Sequence, residues 1–229
     1  MSPVATWPET AVAELEAAFR SAGDTERAAG MRTYMRDQFT FFGVPTPQRR
    51  AITKAVLDPL GPPGPSDLEV LGPLAWAVDG REVQYAAVDV LARHVRLARP
   101  DLLDVVGDLV TTKSWWDTVD ALAAKVVGPL VRRHPALVAT LDGWIDGDEL
   151  WLARTAILHQ LGYKTDTDAD RLFRYALAWA PCTDFFARKA IGWALRQYAD
   201  TDADAVRRFL TEHTDALSPL TVREASKHL

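Results

Sequence analysis

Leu150-Trp151-Leu152-Ala153-Arg154-Thr155-Ala156-Ile157 (LWLARTAI) lies over DFFARKAI at 184–191, about one repeat length further along the chain. The two share Ala-Arg-x-Ala-Ile, which places Arg154 and Arg188 at equivalent positions. The next equivalent position forward is Arg223, in VREA, and the next one back is Asp120. Both octets carry apolar residues at helical spacing rather than in alternation, so the repeating unit is helical. A period of roughly 35 residues is long enough for two helices and a turn.

That period predicts an all-α chain, an α-solenoid of HEAT-like or armadillo-like repeats. One such unit cannot bury its apolar face alone, so neighbours share a core. One helix of each pair then lines a concave surface. The helices holding residues 81–97, 114–132, 148–162, 184–198 and 219–228 are assigned to that inner side. Cap and proline signals support helical starts at Thr46-Pro47, Ser66-Asp67, Ser114, Thr183-Asp184 and Ser218-Pro219. No run alternates with period two for long enough to predict a strand. Residues 1–229 are read as one domain.

The composition sets further bounds. The chain has 229 residues, 48% of them hydrophobic and 25% charged, as expected of a globular protein. Its single cysteine, Cys182, excludes an internal disulfide framework and points to a reducing, cytoplasmic setting. The start MSPVATWPET has neither a basic nor an apolar run, so no leader is expected. No segment is apolar enough to suggest a membrane span. The net charge of −5 argues against nucleic-acid binding if the charges are evenly spread. They are not: Arg32, Arg36, Arg49, Arg50 and Lys54 face Asp37 alone between residues 30 and 54, whereas DTDADAV at 200–206 is acidic. An acidic chain can still present one basic face.

KSWWDTVD at 113–120 is the most suggestive local motif. With Ser114 as helix cap and Asp117 closing a capping box, Trp115, Val119, Leu122 and Val126 form one apolar stripe. Trp115 then belongs to the core. Trp116 lies about 100° round the helix, with Asp120 beside it four residues on. The plain reading is a packed tryptophan with a solvated acid. Since Asp120 holds the repeat position of Arg154 and Arg188, it is instead expected to look into the concavity.

Arg154 is flanked at helical spacing by Leu150, Trp151, Ile157 and Leu158, so it must pair with an acid, snorkel or meet a ligand. An ion pair with Asp120 is one solution. Trp193 is the reverse case, set among Lys189, Arg196 and Gln197. Aromatic and basic side chains together suit stacking beside phosphates, although a covering loop would also explain that tryptophan. Tyr34, between Arg32 and Arg36, has the same character. The histidines have no metal-ligand spacing. No glycine-rich phosphate loop is present, and no metal or cofactor is expected.

These strings, together with TKSWWDTVD at 112–120, KAIGWALRQYA at 189–199, SPLTVREASKH at 218–228 and MRTYMRDQFTFFGVPTPQRR at 31–50, resemble the AlkD-type DNA alkylation-repair glycosylases. The resemblance runs from about residue 10 to the C-terminus. It implies a C-shaped stack of HEAT-like helical pairs around a basic cleft for double-stranded DNA. It implies a monomeric enzyme that excises cationic N3- or N7-alkylated purines without a cofactor. Carried over position by position, Asp120 is the catalytic acid, Trp116 and Trp193 are active-site tryptophans, Arg154 is the cleft arginine and Tyr34 is the N-terminal aromatic. Lys113, Arg49, Arg50, Arg188, Lys189 and Arg196 complete the expected DNA contacts, with Arg154 among the groups holding phosphates. Two other readings stay open: a solenoid that binds proteins, and a relative that binds DNA structures without excising bases.

Overall fold

A computed structural model describes residues 5–229. Residues 1–4, the start of the MSPVATWPET stretch, lie outside the described residues. The described residues are helical throughout, and their one strand-like pairing is an isolated bridge between Thr40 and Gly80. No described helix is long and apolar enough to cross a membrane. The chain divides into two compact units, Met1–Lys113 and Ser114–Leu229.

The first unit holds α1 (Trp7–Ser21), α2 (Thr25–Tyr34), α3 (Thr46–Leu57), α4 (Pro65–Ala77), α5 (Arg81–His94) and α6 (Leu102–Thr111). The start signals shift slightly from the expected residues. Thr46 is already helical, after Pro45, and α4 begins at Pro65, where the Asp67 carboxylate accepts from the Gly64 N–H. Within this unit Glu82 is almost fully buried, and its carboxylate accepts from the backbone N–H groups of Phe42, Gly43 and Val44. One acid thus satisfies three backbone donors that the loop before α3 would otherwise leave unpaired.

The second unit holds α7 (Trp116–Leu122), α8 (Gly128–Arg133), α9 (Val138–Asp146), α10 (Leu150–Leu158), α11 (Ala169–Trp179), α12 (Phe185–Ala199), α13 (Ala203–Glu212) and α14 (Pro219–Ala225). In this unit α7 packs on α10, α10 on α12 and α12 on α14, with α9, α11 and α13 against the same succession. The sequence period reappears as bond spacing. Bonds between residues 34 apart join Arg154 to Asp120, Arg132 to Asp166 and the Trp179 indole to the Ile145 carbonyl. All three bonds lie within this second unit. The repeat register slips at the last step: Arg223 is exposed, and the adjacent Glu224 is the residue turned inward.

His159, at the end of α10, is 1% exposed, with Nδ1 against the Ala156 carbonyl and its ring beside Tyr163 and Tyr175. Burial pushes its pKa from 6.5 down to about 4. It is a core histidine that stays neutral. Between those two pH values the unfolded chain binds a proton that the folded chain does not. Stability from this group is therefore present above pH 6.5 and is lost as pH falls towards 4. Thermal unfolding of His159→Gln across that range is expected to show a shallower acid-side fall in Tm than the wild type. An unchanged slope would remove His159 from the account.

Candidate active site

Helix α7 does not start where the sequence suggests. Ser114 is not its cap. The helix begins at Trp116, and Trp115 takes an extended N-cap conformation with no cap bond from its own side chain. The Asp117 carboxylate accepts from the next N–H, that of Thr118, instead of closing a capping box. The turn before it has a physical cause: Lys113 has a left-handed φ of 49°, a conformation that breaks helical continuation. Trp115 does pack, though not through a helical stripe. It is half-buried in an aromatic cluster, with ring centroids 5.0 Å from Phe186 and 6.1 Å from Trp151.

After Leu122 the helix opens into a π-helical turn, Ala123–Val127, before resuming as α8. Such wide turns often stand next to functional residues, and this one directly follows the turn that carries Asp120. At its end Gly128 comes close to α10. A Cβ there would lie 2.3 Å from the His159 carbonyl oxygen, so only glycine permits the approach. Gly128 opens α8, which continues through this wide turn from the α7 that carries Asp120, and α10 carries Arg154.

Asp120 and Arg154 form a forked ion pair. Arg154 Nε donates to Asp120 Oδ1 at 2.7 Å, and Nη2 donates to Oδ2 at 2.8 Å. Nη1 donates to the Phe186 carbonyl. The arginine side chain is 4% exposed and the aspartate 13%. Three of its five N–H donors are thus engaged inside the protein and its bulk is buried, so the ion pair with Asp120, one of the solutions open to this arginine, is the one it takes. It acts on Asp120. Burial raises the Asp120 carboxyl above the ordinary carboxylate range, and the Arg154 guanidinium offsets part of that rise. Each oxygen keeps a second lone pair for a further contact.

Asp120 and Arg154 open onto a cavity of about 310 Å³ whose walls also include Trp116, Trp193, Lys189 and Glu224. Trp116 and Trp193 are both half-buried. Their helices bring them together from α7 and α12. Lys189 and Arg196 stand either side of Trp193 along α12, and both pair with Glu224 at 3.0 Å. Arg188 is partly exposed, with Nε donating to the Cys182 carbonyl at 3.1 Å.

The candidates from the first unit have mixed environments. Tyr34 ends α2 and is 72% exposed. Arg50 is exposed, but Arg49 is not available to phosphate as expected. Its side chain is 8% exposed, bonded to Asp89 at 2.9 Å, with its guanidinium over the Tyr85 ring. The apolar face of α3 carries it inward, and the acid neutralises it there. Lys113 Nζ donates to the Val78 carbonyl.

Sequence reasoning missed two features of the cavity. Glu224 was passed over because its neighbour Arg223 matched the repeat. Phe185 and Phe186 were read only as part of the repeat octet, yet both line the cavity, and Phe185 is 54% exposed. Their position immediately after a helix cap, Asp184, was the available signal.

An all-helical chain with a buried acid–arginine fork under two tryptophans and a set of cations defines the class within which the comparisons fall. The DNA alkylation repair enzyme family matches residues 15–229, and the chain belongs to that family. A predicted DNA alkylation repair enzyme from Enterococcus faecalis is similar in structure, with a TM-score of 0.82 and 33% identity over 90% of this chain and 96% of that one. The fold is also shared with smu.31 from Streptococcus mutans UA159, at a TM-score of 0.58 and 18% identity, over 76% of this chain and 89% of that one. No curated protein matches the chain.

Proposed function

We propose that the protein is a DNA glycosylase that removes cationic N3- or N7-alkylated purines from duplex DNA. The observation that carries this reading is the single cavity lined by Asp120, Trp116 and Trp193, with the carboxylate held by the Arg154 fork. Family membership supports the coarser role in alkylation repair.

The chemistry follows from the substrate. An N-alkylated purine carries a positive charge, so it leaves readily. As the C1′–N9 bond breaks, its electron pair stays with the base, which departs neutral, and the deoxyribose becomes oxocarbenium-like. A carboxylate near C1′ stabilises that cation and orients the water that adds to it, whose proton passes to the carboxylate or to solvent. The free lone pairs of Asp120 suit this task. Arg154 fixes the carboxylate plane, so little reorganisation is needed at the moment of bond cleavage. Trp116 and Trp193 offer faces that pack on the sugar and attract a cationic substrate. Lys189, Arg196, Arg188 and Arg50 offer charge to the phosphates, and Tyr34 an exposed aromatic.

A base-release assay tests the proposal, with duplexes carrying 7-methylguanine, 3-methyladenine or a bulky N7 adduct. Release of the alkylated base with the strand left intact is expected, and release of no base from any duplex would overturn the reading. Binding is also expected to weaken steeply with salt, the logarithm of affinity falling by about 0.9 for each phosphate contact per decade of salt. Fluorescence anisotropy from 50 to 200 mM salt measures this slope. A flat response would favour a protein-binding scaffold instead.

A further inference from the structure

Glu224 is a carboxylate with more cations than it needs. It lies on α14 with its side chain 7% exposed, and three cations reach it: Lys189 at 3.0 Å, Arg196 at 3.0 Å and Lys227 at 2.8 Å. One partner would neutralise it. Three leave a surplus of two positive charges, and holding them together costs mutual repulsion and desolvation. Lys189 and Arg196 are not sealed in by the contact. Their side chains remain 35% and 22% exposed, and both line the cavity that holds Asp120.

The local sequence builds this arrangement. Lys189 and Arg196 are seven positions apart on α12, close to two helical turns, so they share a face. Trp193 lies between them at four and three residues, on that same face. Gly192 lets α14 come down beside it. A Cβ at Gly192 would lie 2.6 Å from the Glu224 Cβ and 2.9 Å from the Thr221 carbonyl oxygen, so any side chain there would push Glu224 away. Bonds to Lys227 first, and then to Lys189, hold the Glu224 carboxyl down at about 2, so it is charged whenever the protein works.

Building on the glycosylase reading, we propose that Glu224 is a positioning residue, which aims Lys189 and Arg196 on either side of Trp193 at a single DNA phosphate flanking the damaged nucleotide. A lysine ammonium on its flexible stem binds phosphate with little geometric demand, and an arginine fork does so well only when its plane is held. Tied to a common buried carboxylate, the two present their remaining donors in one fixed arrangement. The phosphate, and with it C1′, is then held in register with Asp120.

Glu224→Gln tests the inference, because it keeps the shape and removes the charge. Under single-turnover conditions on a 7-methylguanine duplex, its excision rate is expected to fall about tenfold or more, since small misplacements at a reacting centre cost one to two orders of magnitude. Binding to undamaged duplex is expected to tighten at low salt. The salt slope is expected to steepen by about one, because a cation released from Glu224 becomes free to take a further phosphate. A purely structural Glu224 would lower Tm and leave both readouts unchanged per folded molecule. A match to the wild type in rate or in slope overturns the proposal. Should Glu224→Gln fail to fold, Lys189→Gln and Arg196→Gln decide: each is expected to lower both the rate and the salt slope, and no loss in either variant overturns the clamp. A wild type that neither binds nor excises would overturn the function reading and this inference with it. A working wild type beside an unaffected Glu224→Gln overturns this inference alone.

Discussion

Asp120→Asn is expected to lower single-turnover excision of 7-methylguanine by roughly 10²–10⁴-fold while leaving duplex binding at or above the wild-type level. The size of the effect follows from what the charge does. The transition state gathers positive charge at the sugar, and a neutral amide in a site screened from water offers it only a weak dipole. Asn also disturbs the fork. Arg154 presents two donors to two acceptors in the wild type, whereas an amide has one acceptor side and one donor side. The binding prediction follows from sign: removing a carboxylate leaves the Arg154 charge less compensated beside a polyanion. Because burial holds the Asp120 carboxyl above the usual range, wild-type excision is expected to fall as pH drops through that raised pKa. Asp120→Asn should lack this acid limb. Asp117→Asn, one helical turn earlier, is the control and is expected to stay close to the wild type. Near-normal excision by Asp120→Asn, or equal losses in the two variants, would end the assignment.

Arg154→Met carries the largest expected cost in stability. It keeps length and apolar bulk but leaves Asp120 buried without its partner. Breaking a buried pair in this way costs about 3–5 kcal/mol, since the remaining charge has lost its compensation and water cannot replace it. Part of the strain is relieved if Asp120 takes up a proton. The acid limb of the pH–rate profile is therefore expected to move to higher pH, and activity at neutral pH to fall with it. The double variant Asp120→Asn/Arg154→Met should be more stable than Arg154→Met alone, because no carboxylate is left stranded. Denaturant unfolding of the four proteins gives the coupling energy. Additive losses, or a pH profile that does not move, would show that the fork does not set the state of Asp120.

Much of the fold is legible in the sequence. Ala-Arg-x-Ala-Ile at 153–157 and 187–191 points to a period near 34, and individual bonds join residues at that separation. Helical spacing also separated Trp116 and Asp120 from Trp115. The capping pattern at Ser114 would put Trp115 on a helical stripe, but Lys113 turns the chain there and the helix starts later. Local cap signals compete with the tertiary contacts of the preceding turn, and here the turn won. Arg49 failed for a similar reason. Charge clusters in sequence do not say which member faces inward, and Asp89, which neutralises Arg49, lies on another helix.

The sequence by itself determined the helical class and the family, because helical spacing and local motifs are properties of a single segment. The pairing of residues from different segments belonged to the tertiary structure. The sequence leaves Arg154 an ion pair with Asp120 as one solution among several, and the approach of α10 to α7 selects it and sets its forked geometry. Only the approach of α14 over Gly192 brought Glu224 onto Lys189 and Arg196. The physical reason is common to both. A charged side chain leaves water only for a partner of opposite sign, and which partner it meets is set by how closely the helix backbones can pack.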